Sequence, residues 1–288
     1  MKPFEYNSPQ TLADAARLLG DYGGQARVLA GGTDLLIRMK RKQWTPRALV
    51  NLKRIPGLRA LALDERGELH IGALVTLNDM TRSPIVRDGL GVLARTAAGM
   101  AGVQVRNLAT VGGNLCNASP AADMAPPLMA LQARAVAVSS QGERVIPLDE
   151  FFFDAGRSAL APGEILREIL VPPPNSTHAS YVKLEHRAAM DIAIVGVAVS
   201  VQFERGKTAH AICADARIVL GAVAPTPLRA LNAEKVLRGQ ELTEERIRQA
   251  AATAAREAKP IDDVRGSAWY RTEMVEVLTR RQLMELSH

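Results

Sequence analysis

The spacing of apolar and polar positions divides the chain into three stretches. In the first, Leu12, Ala15, Ala16 and Leu19 recur at helical intervals. Ser8 as N-cap and Pro9 in the first turn predict where that helix begins, and Gly20 and Gly23-Gly24 end it. Arg27-Val28-Leu29-Ala30 reads as a strand, residues 35–40 as a helix start capped by Asp34, and residues 48–52 as another strand.

The second stretch opens with a strand pair over residues 58–75, in which Leu61 and Leu63 precede the turn Asp64-Glu65-Arg66-Gly67 and Leu69, Ile71 and Ala73 follow it. Ser83-Pro84 starts a helix that runs to about Ala101, and residues 102–106 lead into a glycine loop. Met124 to Leu131 reads as helical, with Pro126-Pro127 in its first turn. Residues 135–138, 144–146 and 168–171 read as strands. Phe151-Phe152-Phe153 suits a buried loop anchor or an aromatic wall for a ligand. The proline run 172–174 with Asn175 and Ser176 marks an extended connector.

Beyond it, residues 181–184 and 216–222 read as strands, and residues 228–237, 243–257 and 267–285 as helices. The apolar segment 191–201 has no decisive period, and a helix turning into a strand is the favoured assignment. The predicted class is α+β, with domains at 1–175 (subdivided at 55/56) and 176–288.

A chain of 288 residues has room for two cores. No uninterrupted apolar run reaches the ~18 residues of a membrane span, and the N-terminus lacks a signal core, so a cytoplasmic protein is expected. Cys116 and Cys213 are too few to build an iron–sulfur or zinc site. The net charge of +6 comes from scattered Lys and Arg, and aromatics make up only 4% of the residues. That argues against nucleic acid and for a solvated basic surface, or one facing an acidic partner. The histidines (His70, His178, His186, His210, His288) are dispersed, and neither a GxSxG nor an HExxH motif occurs. Gly89-Leu90-Gly91-Val92-Leu93-Ala94 matches a dinucleotide fingerprint but falls inside the predicted helix, the wrong context for one.

Two runs carry the chemistry. Thr110-Val111-Gly112-Gly113-Asn114-Leu115-Cys116-Asn117-Ala118-Ser119-Pro120-Ala121-Ala122-Asp123 is centred on adjacent glycines flanked by short polar residues. Adjacent glycines permit φ > 0 and close backbone approach, and successive N–H groups can form an anion nest. Leu29-Ala30-Gly31-Gly32-Thr33-Asp34-Leu35-Leu36 has the same character. A single Gly-Gly pair commonly marks a turn. Two in this setting suit a ligand with two anionic or polar ends, of the kind that carries its own chemistry.

These two runs resemble the FAD-binding flavoprotein subunits of the molybdenum hydroxylases, the family of the medium subunit of carbon monoxide dehydrogenase and the flavin segment of xanthine dehydrogenase. The resemblance spans nearly the whole chain. It implies a two-part FAD-binding domain of the vanillyl-alcohol-oxidase (PCMH) type, followed by an antiparallel sheet with helices. It implies FAD contacts at Leu29, Ala30, Gly31, Gly32, Thr33, Asp34, Leu35 and Leu36, and at Thr110, Val111, Gly112, Gly113 and Asn114, mainly through backbone N–H. It further implies Asp123 on the ribityl or adenosine side, Leu166 and Met100 near adenine, and Lys183 near the flavin ring; Arg187 and Asp191 lie in a segment that approaches the flavin. It also implies an electron relay: a large partner with a molybdopterin-type molybdenum cofactor, a small partner with two [2Fe–2S] clusters, and a dimer of such heterotrimers. The chain lacks the cysteine-rich insertion that one branch uses for a [4Fe–4S] cluster. The competing expectation is a self-sufficient flavin oxidase or dehydrogenase with the same flavin-binding fold.

Overall fold

The computed structural model describes residues 1–175, 177–204 and 212–287; Ser176 of the proline-rich connector, His210 and His288 lie outside the described residues. The α+β class expected from the sequence is found.

The chain begins with β1 (Glu5–Asn7), α1 (Leu12–Asp21), β2 (Ala26–Leu29), α2 (Leu35–Lys40) and β3 (Ala48–Asn51). The three strands form a parallel sheet in the order β1-β3-β2. Every residue of β3 is buried, because helices cover both faces of the sheet. Ala48 and Val50 pack with Ala15 and Ala16 of α1, whereas Leu49 packs with Leu35 and Met39 of α2. The first helix starts later than Ser8-Pro9 predicts. Its N-cap is Thr11, whose hydroxyl accepts from the Asp14 N–H at 3.1 Å.

The middle stretch comprises β4 (Leu61–Leu63), β5 (Leu69–Gly72), α3 (Leu77–Arg82), α4 (Pro84–Gly89), α5 (Gly91–Gly99), α6 (Val103–Arg106), α7 (Val111–Asn117), α8 (Ala125–Ala130), β6 (Arg134–Ser139), β7 (Gly142–Pro147), β8 (Phe152–Asp154), β9 (Arg157–Ser158) and β10 (Ile165–Val171). An antiparallel five-stranded sheet runs β4-β5-β10-β6-β7. Its core holds Leu69, Ile71 and Ile169 from strands, and Leu93, Leu115 and Leu128 from helices. The single helix expected over 83–101 is two, parted at Leu90 (φ −132°, ψ 45°); the glycines on either side of Leu90 weaken a continuous helix there. Residues 89–94 lie in this helical region rather than on a strand-to-helix turn, as the sequence argument requires. Phe151 is a fully buried anchor with Phe152 edge-on to it at 5.3 Å, whereas Phe153 points to solvent.

The last stretch holds β11 (Thr177–Leu184), β12 (Val195–Phe203), β13 (Ile212–Gly221), β14 (Leu228–Arg229), α9 (Leu231–Leu237), β15 (Gln240–Glu241), α10 (Glu244–Glu257) and α11 (Ala268–Ser287). The antiparallel sheet β11-β12-β13-β14, with β15 also on β13, carries α10 and α11. Its other side meets the middle core, where Ala198 and Val219 join Leu128 of α8. Covered on both sides, β12 is buried along most of its length. That is why 195–201 reads as continuously apolar; the helix favoured for the first half of 191–201 is absent, since residues 191–194 are irregular and the strand begins at Val195.

Candidate functional site

β2 delivers Ala30, Gly31, Gly32, Thr33 and Asp34 to the N-terminus of α2. Of the four motif glycines, only Gly32 adopts positive φ (+82°). Gly31 is glycine for another reason: a Cβ there would lie 2.1 Å from the Leu108 carbonyl oxygen. The first motif is thereby pressed against the segment that introduces the second. Among the described residues, none of the backbone N–H groups of Gly31, Gly32, Thr33, Asp34 and Leu35 finds a protein acceptor, and the next N–H, of Leu36, closes on Gly32 O at 3.1 Å. Asp34 occupies the N-cap position without a side-chain capping bond.

The second motif departs from the loop predicted for it. Residues 111–117 form α7, with Thr110 as N-cap accepting from the Gly113 N–H at 3.0 Å. The other N–H groups of its first turn are also occupied: Val111 donates to Val75 O, Gly112 to Ala73 O and Asn114 to Thr110 O, at 2.9, 3.2 and 2.9 Å. Gly112 and Gly113 therefore do not form a positive-φ nest. They let α7 pack tightly, since a Cβ on Gly112 would lie 2.6 Å from Ala73 O. What this motif presents is a side chain: Asn114 Oδ1 is buried and has no hydrogen-bond partner among the described residues.

Both motifs face one cleft of about 890 Å³, near the top of the ~300–1,000 Å³ range of ligand pockets. Ala30, Gly31, Gly32, Thr33, Asp34 and Leu35 line it, as do Met100, Thr110, Gly112, Gly113, Asn114, Asp123 and Leu166. Four expected residues stand off its wall. Leu29 packs with Met39 and Leu49, and Leu36 lies against that cluster. Val111 is fully buried, and Lys183 stands behind Asp123.

Lys183 Nζ lies 3.4 Å from Asp123 Oδ2, 2.9 Å from Glu185 Oε2 and 3.2 Å from the Asp191 carbonyl oxygen. Tyr181 donates its hydroxyl proton to Asp123 Oδ1 at 2.8 Å. Burial pushes the Asp123 carboxyl above its ordinary range, opposed by Lys183 and by the Tyr181 hydrogen bond. Tyr181 is pushed well above the ordinary phenol value by burial and then by Asp123. Arg187 and Asp191 form an ion pair at 3.2 Å with the arginine in solvent. Hydrogen bonds from the Ile192 N–H and then Arg187 hold the Asp191 carboxyl below its usual range.

Several contributors escaped the sequence reading. Tyr181 and Glu185 alternate with Lys183, and that two-residue period was the available signal. Arg106 donates to the carbonyls of Met100 and Ala101, bracing a left-handed Ala101 (φ +43°) at the cleft edge. Arg157, Ser158 and Leu160 to Ile165 also line the cleft, as does Trp44, over which the Arg27 and Arg38 guanidiniums stack at 5.1 and 4.4 Å. Cys116 also lines the cleft, its thiol pushed up to about 12 by burial.

Residues 2–174 match the FAD-binding domain of molybdopterin dehydrogenases, and residues 180–286 match the CO dehydrogenase flavoprotein C-terminal domain. The chain belongs to the flavoprotein subunits of the molybdenum hydroxylases. It is 37% identical over 281 residues to the carbon monoxide dehydrogenase medium chain of Hydrogenophaga pseudoflava, covering 97% of this chain and 96% of that one. It is 32% identical over 282 residues to the xanthine dehydrogenase FAD-binding subunit of Escherichia coli O157:H7, covering 97% and 94%. A solved carbon monoxide dehydrogenase from Hydrogenophaga pseudoflava superposes with a TM-score of 0.93 at 36% identity, over 99% of this chain and 98% of that one. Quinoline 2-oxidoreductase of Pseudomonas putida 86 superposes at 0.90 with 29% identity, over 100% and 98%. Like these dehydrogenase subunits, this flavoprotein subunit is an oxidoreductase component. Among its described residues, no helix is long and apolar enough to cross a membrane.

Proposed function

We propose that this flavoprotein subunit carries FAD in the cleft and serves, in the cytoplasm, as the electron-transfer subunit of a multi-subunit molybdenum hydroxylase. One observation carries the reading. Two glycine motifs far apart in sequence line a single cleft, one offering five N–H groups and the other a buried amide oxygen, all without a protein partner among the described residues. That donor set fits a dinucleotide. N–H groups of Gly31 to Leu35 would hold the diphosphate, and the Asn114 side chain would reach a polar group beside it. Asp123 would accept from a hydroxyl on the ribityl or adenosine side. Met100 and the Leu166 backbone would bound the adenine. Leu29, Leu36 and Val111 support the motifs from behind, and Lys183 acts on the flavin ring through its charge. Bound FAD supplies both one-electron and two-electron exchange.

Residues 1–175 form the FAD-binding domain in this reading, and residues 176–288 the C-terminal domain. Only two cysteines are present, so iron–sulfur clusters must come from a partner. A small subunit with two [2Fe–2S] clusters would deliver electrons, and a large subunit with the molybdopterin-type cofactor would oxidise the substrate. The assembly would be a dimer of heterotrimers reducing an external acceptor. A relative in Paenarthrobacter nicotinovorans is named as subunit alpha of a 6-hydroxypseudooxynicotine dehydrogenase complex, which supports a multi-subunit setting.

The test is an absorption spectrum of the chain purified alone and with its co-purifying partners. Flavin bands on the isolated chain, joined by iron–sulfur absorbance and molybdenum in the complex, are expected. A colourless chain that refuses added FAD overturns the reading.

A further inference from the structure

We infer that Glu185 sets the charge felt by a cofactor in the cleft, by pinning the Lys183 ammonium and cancelling its field. The inference rests on the FAD reading above and deepens it. Alternation along β11 puts Tyr181, Lys183 and Glu185 on the same side of the strand and its continuation, toward Asp123, which lines the cleft. The Lys183 side chain is 10% exposed, Asp123 9% and Glu185 15%. Charges this withdrawn from solvent are poorly screened.

Lys183 on its own would put a positive charge directly behind the Asp123 wall of the cleft. It is instead shared between two carboxylates, and Glu185 is the nearer, at 2.9 Å against 3.4 Å. With all three ionised the cluster carries one net negative charge. Tyr181 donates a hydrogen bond to Asp123 but adds no charge, and the Arg187–Asp191 pair next to it neutralises itself. Asp123 is tied by two partners, and its carboxyl is drawn toward the neutral form by burial. Glu185 is the member free to decide the sign. Its Oε2 makes no aligned hydrogen bond among the described residues, so its contact with Lys183 is one of charge, and an amide of the same shape would fit in its place.

The experiment compares full-length wild type, Glu185→Gln and Lys183→Met, in complex with the natural partners. Bound FAD is quantified by absorbance, and its reduction potential is measured against redox dyes. Glu185→Gln is expected to retain FAD and to raise the reduced-to-oxidised ratio at a fixed dye potential by at least about threefold, because removing a poorly screened negative charge favours the anionic reduced flavin. Lys183→Met is expected to move the ratio the other way. Should Glu185→Gln fold poorly, Glu185→Ala serves with the same expectation. An unchanged potential in an FAD-loaded Glu185 variant, or a shift of the same sign as Lys183→Met, overturns the inference and leaves the FAD reading intact. Failure of wild type itself to bind FAD overturns both.

Discussion

Replacing Gly31 with alanine tests whether contact between the two glycine motifs makes the cleft. The added Cβ would lie 2.1 Å from Leu108 O, 2.9 Å from Leu108 C and 3.1 Å from Ala109 Cα. All three are backbone atoms, so no rotamer change relieves the overlap. Ordinary contacts begin near ~3.5 Å, and the first motif must therefore retreat by roughly 1.4 Å from the segment leading into α7. Overpacking of this kind costs about 1–3 kcal/mol. If the strain is relieved only by opening the cleft, FAD affinity falls by about 5- to 150-fold, at 1.4 kcal/mol per tenfold. The assay is titration of the apo protein with FAD, followed by quenching of flavin fluorescence. Gly20→Ala is the control. Gly20 lies within α1 with nothing inside 4 Å of its would-be Cβ, so that variant should gain up to about 1 kcal/mol of stability and bind FAD normally. Gly31→Ala with wild-type FAD affinity would refute the argument that this backbone contact shapes the site.

Two further outcomes can be checked on the apo protein. Glu234 is fully buried and accepts from Arg229, Arg238 and the Ile218 N–H; Glu234→Gln removes the buried carboxylate these two guanidiniums share, leaving Arg229 with Asp149 and Arg238 with Asp215. A loss of roughly 2 kcal/mol and a fall in melting temperature of roughly 4–8 °C are expected by calorimetry, and a fall under 2 °C, on the order of experimental scatter, would count against it. For pH, the Asp123 carboxyl is raised in the fold, chiefly by burial. A group raised in this way contributes stability that is fully present below its unfolded value of ~3.9 and is lost as pH rises through the folded value. Asp123→Asn should therefore flatten the decline of melting temperature between that value and neutrality, and an undiminished slope would contradict it.

Composition and pattern alone determined the α+β class, most of the elements and the two motifs that meet at the cleft. These are local properties. Leu12, Ala15, Ala16 and Leu19 keep helical spacing whatever they pack against, and Gly31-Gly32 and Gly112-Gly113 announce backbones that tolerate no side chain. The sequence did not say why. Positive φ was the natural expectation, yet it holds only at Gly32; at Gly31 and Gly112 the absent Cβ makes room for a backbone carbonyl that only the folded chain brings near. Tertiary contacts likewise turned the second motif into a helix whose first N–H groups are already occupied, leaving the free donors to the first motif. They decided the segment 191–201: burial of β12 on both faces removes the periodicity that tells helix from strand in a sequence, so only the folded sheet shows that the strand begins at Val195. They also placed Lys183 between Asp123 and Glu185. A sequence lists charges in order along the chain, but the field at a site depends on distance and on exclusion of water, and both are set only when distant segments pack together.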